Sequence, residues 1–268
     1  MSAIKLPDCP QVTFEEPPLQ EVVCQLRFHQ ILKIVTMMPA DFQDLIRKEF
    51  PVHVQEHGVQ VAVAGGQPIM AATNEPTWQF RSADDKWLVS LASSFIALKT
   101  TAYSDFDGFL NQLLPVVQAF ETTYQPPFYV RVGLRYVNRW VLPREEDRPI
   151  SWSDLLNPYI AGWFSEPVLR DGIAETRHHL ILQTERGQIG CRYSRDVGQA
   201  DGTSAEQFTL DFDHYATGQI ACKDIRGLLV DSNSIVFRLF CWCLTDQGYH
   251  SLKPRDKHRG EEDNEVQG

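Results

Sequence analysis

Three arginines, Arg131, Arg135 and Arg139, recur four residues apart in the stretch YVRVGLRYVNRW at 129–140. A guanidinium is a permanent cation whose fork of N–H donors fits carboxylates and phosphates. In a β-strand alternate residues share a face, so the three arginines lie together with Gly133 and Val137. Val130, Val132, Leu134, Tyr136, Asn138 and Trp140 take the opposite, mostly apolar face. Positions four apart are roughly 13 Å apart along a strand, wider than successive phosphates of a nucleic-acid strand, so the stripe alone is no backbone ruler. A counterpart lies in LDFDHY at 210–215. There Asp211, Asp213 and Tyr215 share one strand face, and Leu210, Phe212 and His214 share the other. If the two strands are neighbours, the carboxylates can pair with the arginines as a cross-strand ionic ladder. That is the first expectation. A groove for an anion or a partner, lined by Arg131, Arg135, Arg139, Trp140, Asp211 and Asp213, is the second, and catalysis is the third.

Other residues of chemical interest carry less. Asp211, Asp213 and His214 are the residue types of a divalent-metal nuclease site, but a regular strand turns His214 away from the two aspartates. His178 and His179 are adjacent, so on a strand they point apart and cannot readily chelate one ion. Cys24 and Cys191 sit mid-strand with no evident base. G-x-S-x-G, Walker A, H-E-x-x-H and dinucleotide-binding patterns are all absent. No catalytic residue, metal ligand or cofactor is therefore assigned. The aromatics Trp78, Phe80, Trp87, Trp140, Trp152, Trp163 and Phe164 are expected mainly in the core. Any left exposed would suit a protein interface or the stacking of single-stranded RNA.

The formal net charge of −10 and pI near 5.3 oppose non-specific binding to nucleic acid or an anionic membrane. The six cysteines form no C-x-x-C pair and none has zinc-finger spacing to histidine. The opening MSAIKLPDCPQVTFEEPP is polar and proline-rich, unlike a signal peptide, and no apolar run reaches the roughly 18 residues that span a bilayer. These features predict a soluble, reduced, cytoplasmic protein that avoids membranes.

The elements that must position these residues follow from periodicity. Residues 1–18 read as an irregular lead-in. Strands are predicted at 19–28, 58–65, 128–141 and 208–216, with hairpins around Ala83-Asp84-Asp85 and Glu185-Arg186-Gly187. Residues 38–51 read as a helix on Phe42, Leu45, Ile46 and Phe50. Residues 104–124 read as another, capped by Ser104 and kinked or split by Pro115. Residues 151–164 begin with a serine cap, 197–207 read as a loop, and 223–245 give one or two helices. The charged PREEDRPI at 143–150 is the best boundary. It separates an N-terminal α+β half, 19–142, from a C-terminal half, 151–252, packed on it; residues 253–268 form a disordered tail. The fold class is α+β, with antiparallel sheets carrying helices on one face. A diverged duplication of two ferredoxin-like halves is left open.

Taken together, the E-V-V-C-x-L-R-F strand, the W-x-F hairpin, the Tyr103-led helix, G-L-R-Y-V-N-R and L-D-F-D-H-Y resemble a sporadically distributed bacterial family of uncharacterised proteins. The likeness spans about residues 14–250, and G-L-R-Y-x-N is its most specific element. It implies a patchily inherited accessory gene, as in bacterial defence or other conflict systems, and brings no activity or cofactor with it. The functional expectation is a non-enzymatic accessory or binding protein. It would be a subunit or regulator of a defence-type assembly (CRISPR-associated, toxin–antitoxin or similar), partnered by a protein of its own operon. Binding of RNA or a nucleotide through the arginine strand is the alternative, and a metal-dependent hydrolase the second alternative.

Overall fold

The computed structural model describes residues 2–64, 67–141, 150–170, 172–200 and 203–256. In chain order the elements are β1 (Val12–Phe14), β2 (Leu19–Arg27), α1 (Leu32–Thr36), α2 (Ala40–Ile46), β3 (Val52–Ala64), β4 (Gln67–Arg81), β5 (Trp87–Ala92), β6 (Phe95–Thr100), α3 (Phe106–Tyr124) and β7 (Tyr129–Val141). Then follow α4 (Trp152–Leu155), α5 (Pro158–Ala161), α6 (Pro167–Arg170), β8 (Thr176–Thr184), β9 (Gly187–Ala200), β10 (Thr203–Ile220), α7 (Ile225–Trp242), α8 (Asp246–Ser251) and β11 (Pro254–Asp256). Nine strands form one antiparallel sheet in the order β3-β4-β5-β6-β2-β7-β10-β9-β8, and β1 pairs with β11 separately. The fold is α+β, as the element pattern predicts.

The chain divides into two compact units. One comprises Met1–Gln20, Arg135–His214 and Leu229–Gly268; the other comprises Glu21–Leu134 and Tyr215–Leu228. The division interleaves the chain, because strands far apart in sequence become neighbours in a sheet. Of the boundary read at 143–150, residues 143–149 lie outside the described residues.

In the second unit, α3 buries Phe106, Phe109, Leu110, Leu113, Val116, Val117 and Phe120. Phe120 packs on Phe28 in a tilted contact with ring centroids 4.6 Å apart, and Phe109 lies 6.0 Å from Trp87. The helix differs from expectation at its start. Asp105, not Ser104, is the cap, accepting from the Gly108 N–H at 2.7 Å while the Ser104 hydroxyl donates to the Asp105 carboxylate. Pro115 does not split it. Leu45, expected on the buried face of α2, is 54% exposed, whereas Phe42, Ile46 and Phe50 are buried. The apolar run after Ala83-Asp84-Asp85 is two strands, β5 and β6, turning at Ser93-Ser94.

In the first unit, β8 and β9 pair about the two-residue turn Glu185-Arg186, with Thr184 opposite Gly187. Strands β9 and β10 run through most of the segment expected to be a loop. The serine-capped stretch is several short turns rather than one helix. Ser151 makes a capping box with Asp154, and Pro158 forces Asn157 out of helical geometry, to φ −47° and ψ 137°. Helix α7 gives this unit the buried Leu229, Val236, Leu239 and Phe240, with Cys243 buried just beyond it, while its Ile225 and Leu228, also buried, belong to the second unit. Three residues of the lead-in and three of the tail form strands. Val12–Phe14 pairs with Pro254–Asp256, Lys253 ion-pairs with Glu16 and Arg255 with Glu15. Tail residues 257–268 lie outside the described residues.

Candidate functional site

The alternation of YVRVGLRYVNRW is realised in β7. Val132, Leu134, Tyr136 and Asn138 are buried, Arg131 and Arg135 are half-buried, and Arg139 is exposed. Within the unit that holds residues up to Leu134, the Arg131 guanidinium lies 4.6 Å from the centre of the Tyr215 ring, a cation–π contact. It folds back over Gly133, where a Cβ would overlap its terminal nitrogens.

Within the other unit, Arg135 grips Asp211 with both prongs, Nε donating to Oδ1 at 2.7 Å and Nη2 to Oδ2 at 2.9 Å. From β9, Arg192 Nη1 donates to the same Oδ2 at 3.3 Å. The Asp211 side chain is 10% exposed, whereas those of Arg135 and Arg192 are 41% and 48% exposed. Two cations thus share one shielded carboxylate, with both guanidinium groups reaching solvent. Of the cross-strand pairing expected from sequence, the Arg135–Asp211 pair is present here, joined by Arg192, which sequence reading did not single out. Asp213 is half-buried on the same strand. Arg139 donates its backbone N–H to the Pro18 carbonyl at 2.7 Å. Trp140 belongs to the opposite face, stacked on Phe240 of α7 at 5.9 Å and 11°.

His214 lies on that opposite face too, away from the aspartates. It is 1% exposed. Its Nδ1 is 2.7 Å from Ser232 Oγ and its Nε2 3.0 Å from Thr184 Oγ1. Burial lowers its pKa from 6.5 to about 4, against the opposing pull of Asp231, so the ring is neutral near pH 7. Beside it opens a pocket of about 400 Å³, lined among others by Lys5, Arg186, Asp231, Ser234 and Arg238. Arg186 is ion-paired with Asp231. Ser232 is itself buried, 2% exposed. A Ser–His pair so enclosed is a packing contact, since a nucleophile must reach its substrate.

Among the described residues no group of three His, Cys, Asp or Glu could hold a metal, and both Asp211 oxygens already accept from guanidinium groups. His178 stacks on Tyr193 at 4.4 Å while His179 is exposed, so the pair diverges as strand geometry requires. Cys24 and Cys191 are buried, and burial pushes the Cys191 thiol up to about 12, leaving it protonated and unreactive. Of the weighed aromatics, Trp78, Phe80, Trp152 and Phe164 are buried, and Trp163 is 63% exposed. A second charge pair, a buried arginine with a partly exposed carboxylate, also escaped the sequence reading. Arg195, 6% exposed, bonds Glu206 and the Ile173 carbonyl and lies over Phe164 at 5.5 Å, while Trp152 Nε1 donates to Glu206 at 2.9 Å.

Compared with family models and with curated proteins, the chain matches none. Among the described residues no helix is long and apolar enough to cross a membrane.

Proposed function

We propose that this chain works by binding rather than by bond-breaking, as an accessory subunit that docks an acidic surface of another protein onto the Arg135–Asp211–Arg192 face. The observation that carries this reading is the shared carboxylate. Asp211 fixes two guanidinium groups in place, with both arginines still more than two-fifths exposed. Arginine is among the residue types from which interface anchors are drawn, and holding it in place lowers the cost of binding. Ile181 on the neighbouring edge strand is 47% exposed. The family resemblance supports a bacterial defence-type assembly as the setting, with the partner drawn from the same operon.

The test is co-purification from the native operon, comparing wild type with Arg192→Glu. A stoichiometric partner with an acidic face, retained by wild type and lost by the variant, supports the reading. Absence of any stoichiometric partner overturns it. Salt-dependent RNA binding lost on Arg135→Ala would replace it with nucleic-acid recognition. Calorimetric Mg²⁺ or Mn²⁺ binding lost on Asp211→Asn would replace it with metal chemistry.

A further inference from the structure

The nine-stranded sheet ends on β8, whose outer side meets no strand among the described residues. Strand β8 pairs with β9 in one unbroken register, from Thr176 opposite Arg195 to Thr184 opposite Gly187. The pair that closes a two-residue turn exchanges backbone hydrogen bonds, and such pairs recur at every second residue of an antiparallel ladder. Thr184, Leu182, Leu180 and His178 therefore turn their backbone groups toward β9, and Gln183, Ile181, His179 and Arg177 turn theirs outward. The Ile4 N–H bears out this parity, since it donates to the Gln183 carbonyl at 2.8 Å. That contact covers one end of the edge. Arg177, His179 and Ile181 have no backbone partner on this side among the described residues.

Exposed edges are ordinarily blunted by a lysine, a proline or a bulge, and His179-Leu180-Ile181-Leu182 has none of these. Its aliphatic side chains lie on both faces, with Leu180 45% and Ile181 47% exposed. Residues opposite each other in a ladder share a face. His179 is opposite Arg192 and Ile181 opposite Gly190, where an added Cβ would meet Ile181 Cδ1 at 3.9 Å. Arg177, His179 and Ile181 thus belong to the arginine face. Leu180 and Leu182 take the other face with the buried Cys191 and Ile189.

We propose that β8 is a strand-addition site whose occupant is an extended segment of another protein in which acidic and aliphatic residues alternate. The proposal rests on the binding reading above and names how that partner attaches. An added strand exchanges main-chain hydrogen bonds with Arg177, His179 and Ile181. Every second side chain of that strand falls on the arginine face, beside Arg177 and His179 and with Arg192 one strand further in. Carboxylates suit those positions. Arg177 is paired with Glu175 just before β8, but 82% and 47% of the two side chains are exposed, and a pair so open contributes little and yields to a partner carboxylate. The intervening side chains cover Leu180 and Leu182, which calls for aliphatics. A second copy of β8 would bring Arg177 and His179 to the arginine face in place of carboxylates, so it is not the occupant.

The experiment pans the full-length protein against random phage-displayed dodecapeptides and follows the enriched peptides by calorimetry and amide hydrogen exchange. Enriched peptides should alternate acidic and aliphatic residues. Their binding should slow exchange at the His179 and Ile181 amides, while those of Leu180 and Leu182, already in the ladder, change little. Affinity should fall roughly tenfold or more in Ile181→Pro and in His179→Pro, which delete outward N–H groups and spare the bonds to β9. The exchange pattern of the wild type decides the matter even where a proline variant folds poorly. Binding lost in Arg192→Glu but kept in both proline variants, without protection at His179 and Ile181, would overturn strand addition while the arginine-face reading stood. Edge binding by peptides without carboxylates, unmoved by Arg192→Glu, would overturn the acidic occupant together with that reading. Absence of enrichment, or free protein that sediments as a dimer with those two amides already protected, would overturn the proposal outright.

Discussion

His214 supplies a stability prediction whose sign and size both follow from its surroundings. The neutral ring needs one donor and one acceptor, and the Ser232 and Thr184 hydroxyls can each play either part. Protonation would not strand either hydroxyl, since both can accept. The cost lies in placing a cation where the side chain is 1% exposed. Because the folded pKa is depressed, from 6.5 to about 4, the unfolded chain binds the proton more readily. The contribution is therefore complete above pH 6.5 and is lost as pH falls toward 4. At about 1.4 kcal/mol per pH unit, that interval is worth about 3 kcal/mol. The assay is urea unfolding of wild type and His214→Gln at several pH values between 4 and 7.5. The variant loses packing at every pH but has no proton to take up. The stability difference between the two proteins should therefore shrink by about 3 kcal/mol over that interval, with carboxylate titration cancelling between them. A difference independent of pH would refute the argument, because it would mean that the imidazolium is solvated in the folded state.

Three further outcomes test the packing around the candidate site. Asp211→Ala removes the carboxylate from between Arg135 and Arg192 and should cost about 2 kcal/mol by urea unfolding, with part of the loss recovered in Asp211→Ala/Arg192→Ala; no recovery would show that the two arginines do not repel each other. Gly248→Ala drives a methyl into the Leu155 carbonyl and should cost about 2 kcal/mol in thermal unfolding, whereas the same change at Gly227, with nothing within 4 Å, should not destabilise. Arg195→Met removes the guanidinium from Glu206, whose side chain is 37% exposed, and should cost about 1 kcal/mol, measured by urea unfolding at pH 7.

The arginine face was legible because strand alternation is local. Val132, Leu134, Tyr136 and Asn138 fall inside while the arginines fall outside, and the same parity separates His214 from Asp211. The turn at Glu185-Arg186 was equally local. Arg192 was missed because its role depends on β9 lying beside β10, and nothing within either strand encodes that order. The β1–β11 pair escaped for the same reason, its ends being 240 residues apart at the Glu15–Arg255 contact. Ser232 left a readable trace. It interrupts the apolar stripe of α7 between Leu229 and Val236, and a serine at a buried helix position needs a partner from another element, here His214. Adjacent Ser104 and Asp105 can both cap a helix, and sequence does not rank them; the carboxylate takes both the Gly108 N–H and the serine hydroxyl.

The energetics of the ladder argue that it serves something besides stability. Exposed ion pairs typically contribute ~0–1 kcal/mol, and shielding Asp211 to 10% exposure costs it water. One guanidinium already satisfies the carboxylate bidentately, so the second, at 3.3 Å, adds little to folding and much to the local field. Such a field acts on encounter with a charged partner. If an acidic protein docks here, its association rate should fall as ionic strength rises, while its dissociation rate changes less. Arg192→Glu should reduce the association rate roughly tenfold at low salt and by less at high salt, where the charges are screened. Stopped-flow or surface-binding kinetics against the captured partner would measure both. An association rate indifferent to salt, with the variant acting only on dissociation, would show that this charge does not steer the encounter and that Arg192 acts through packing.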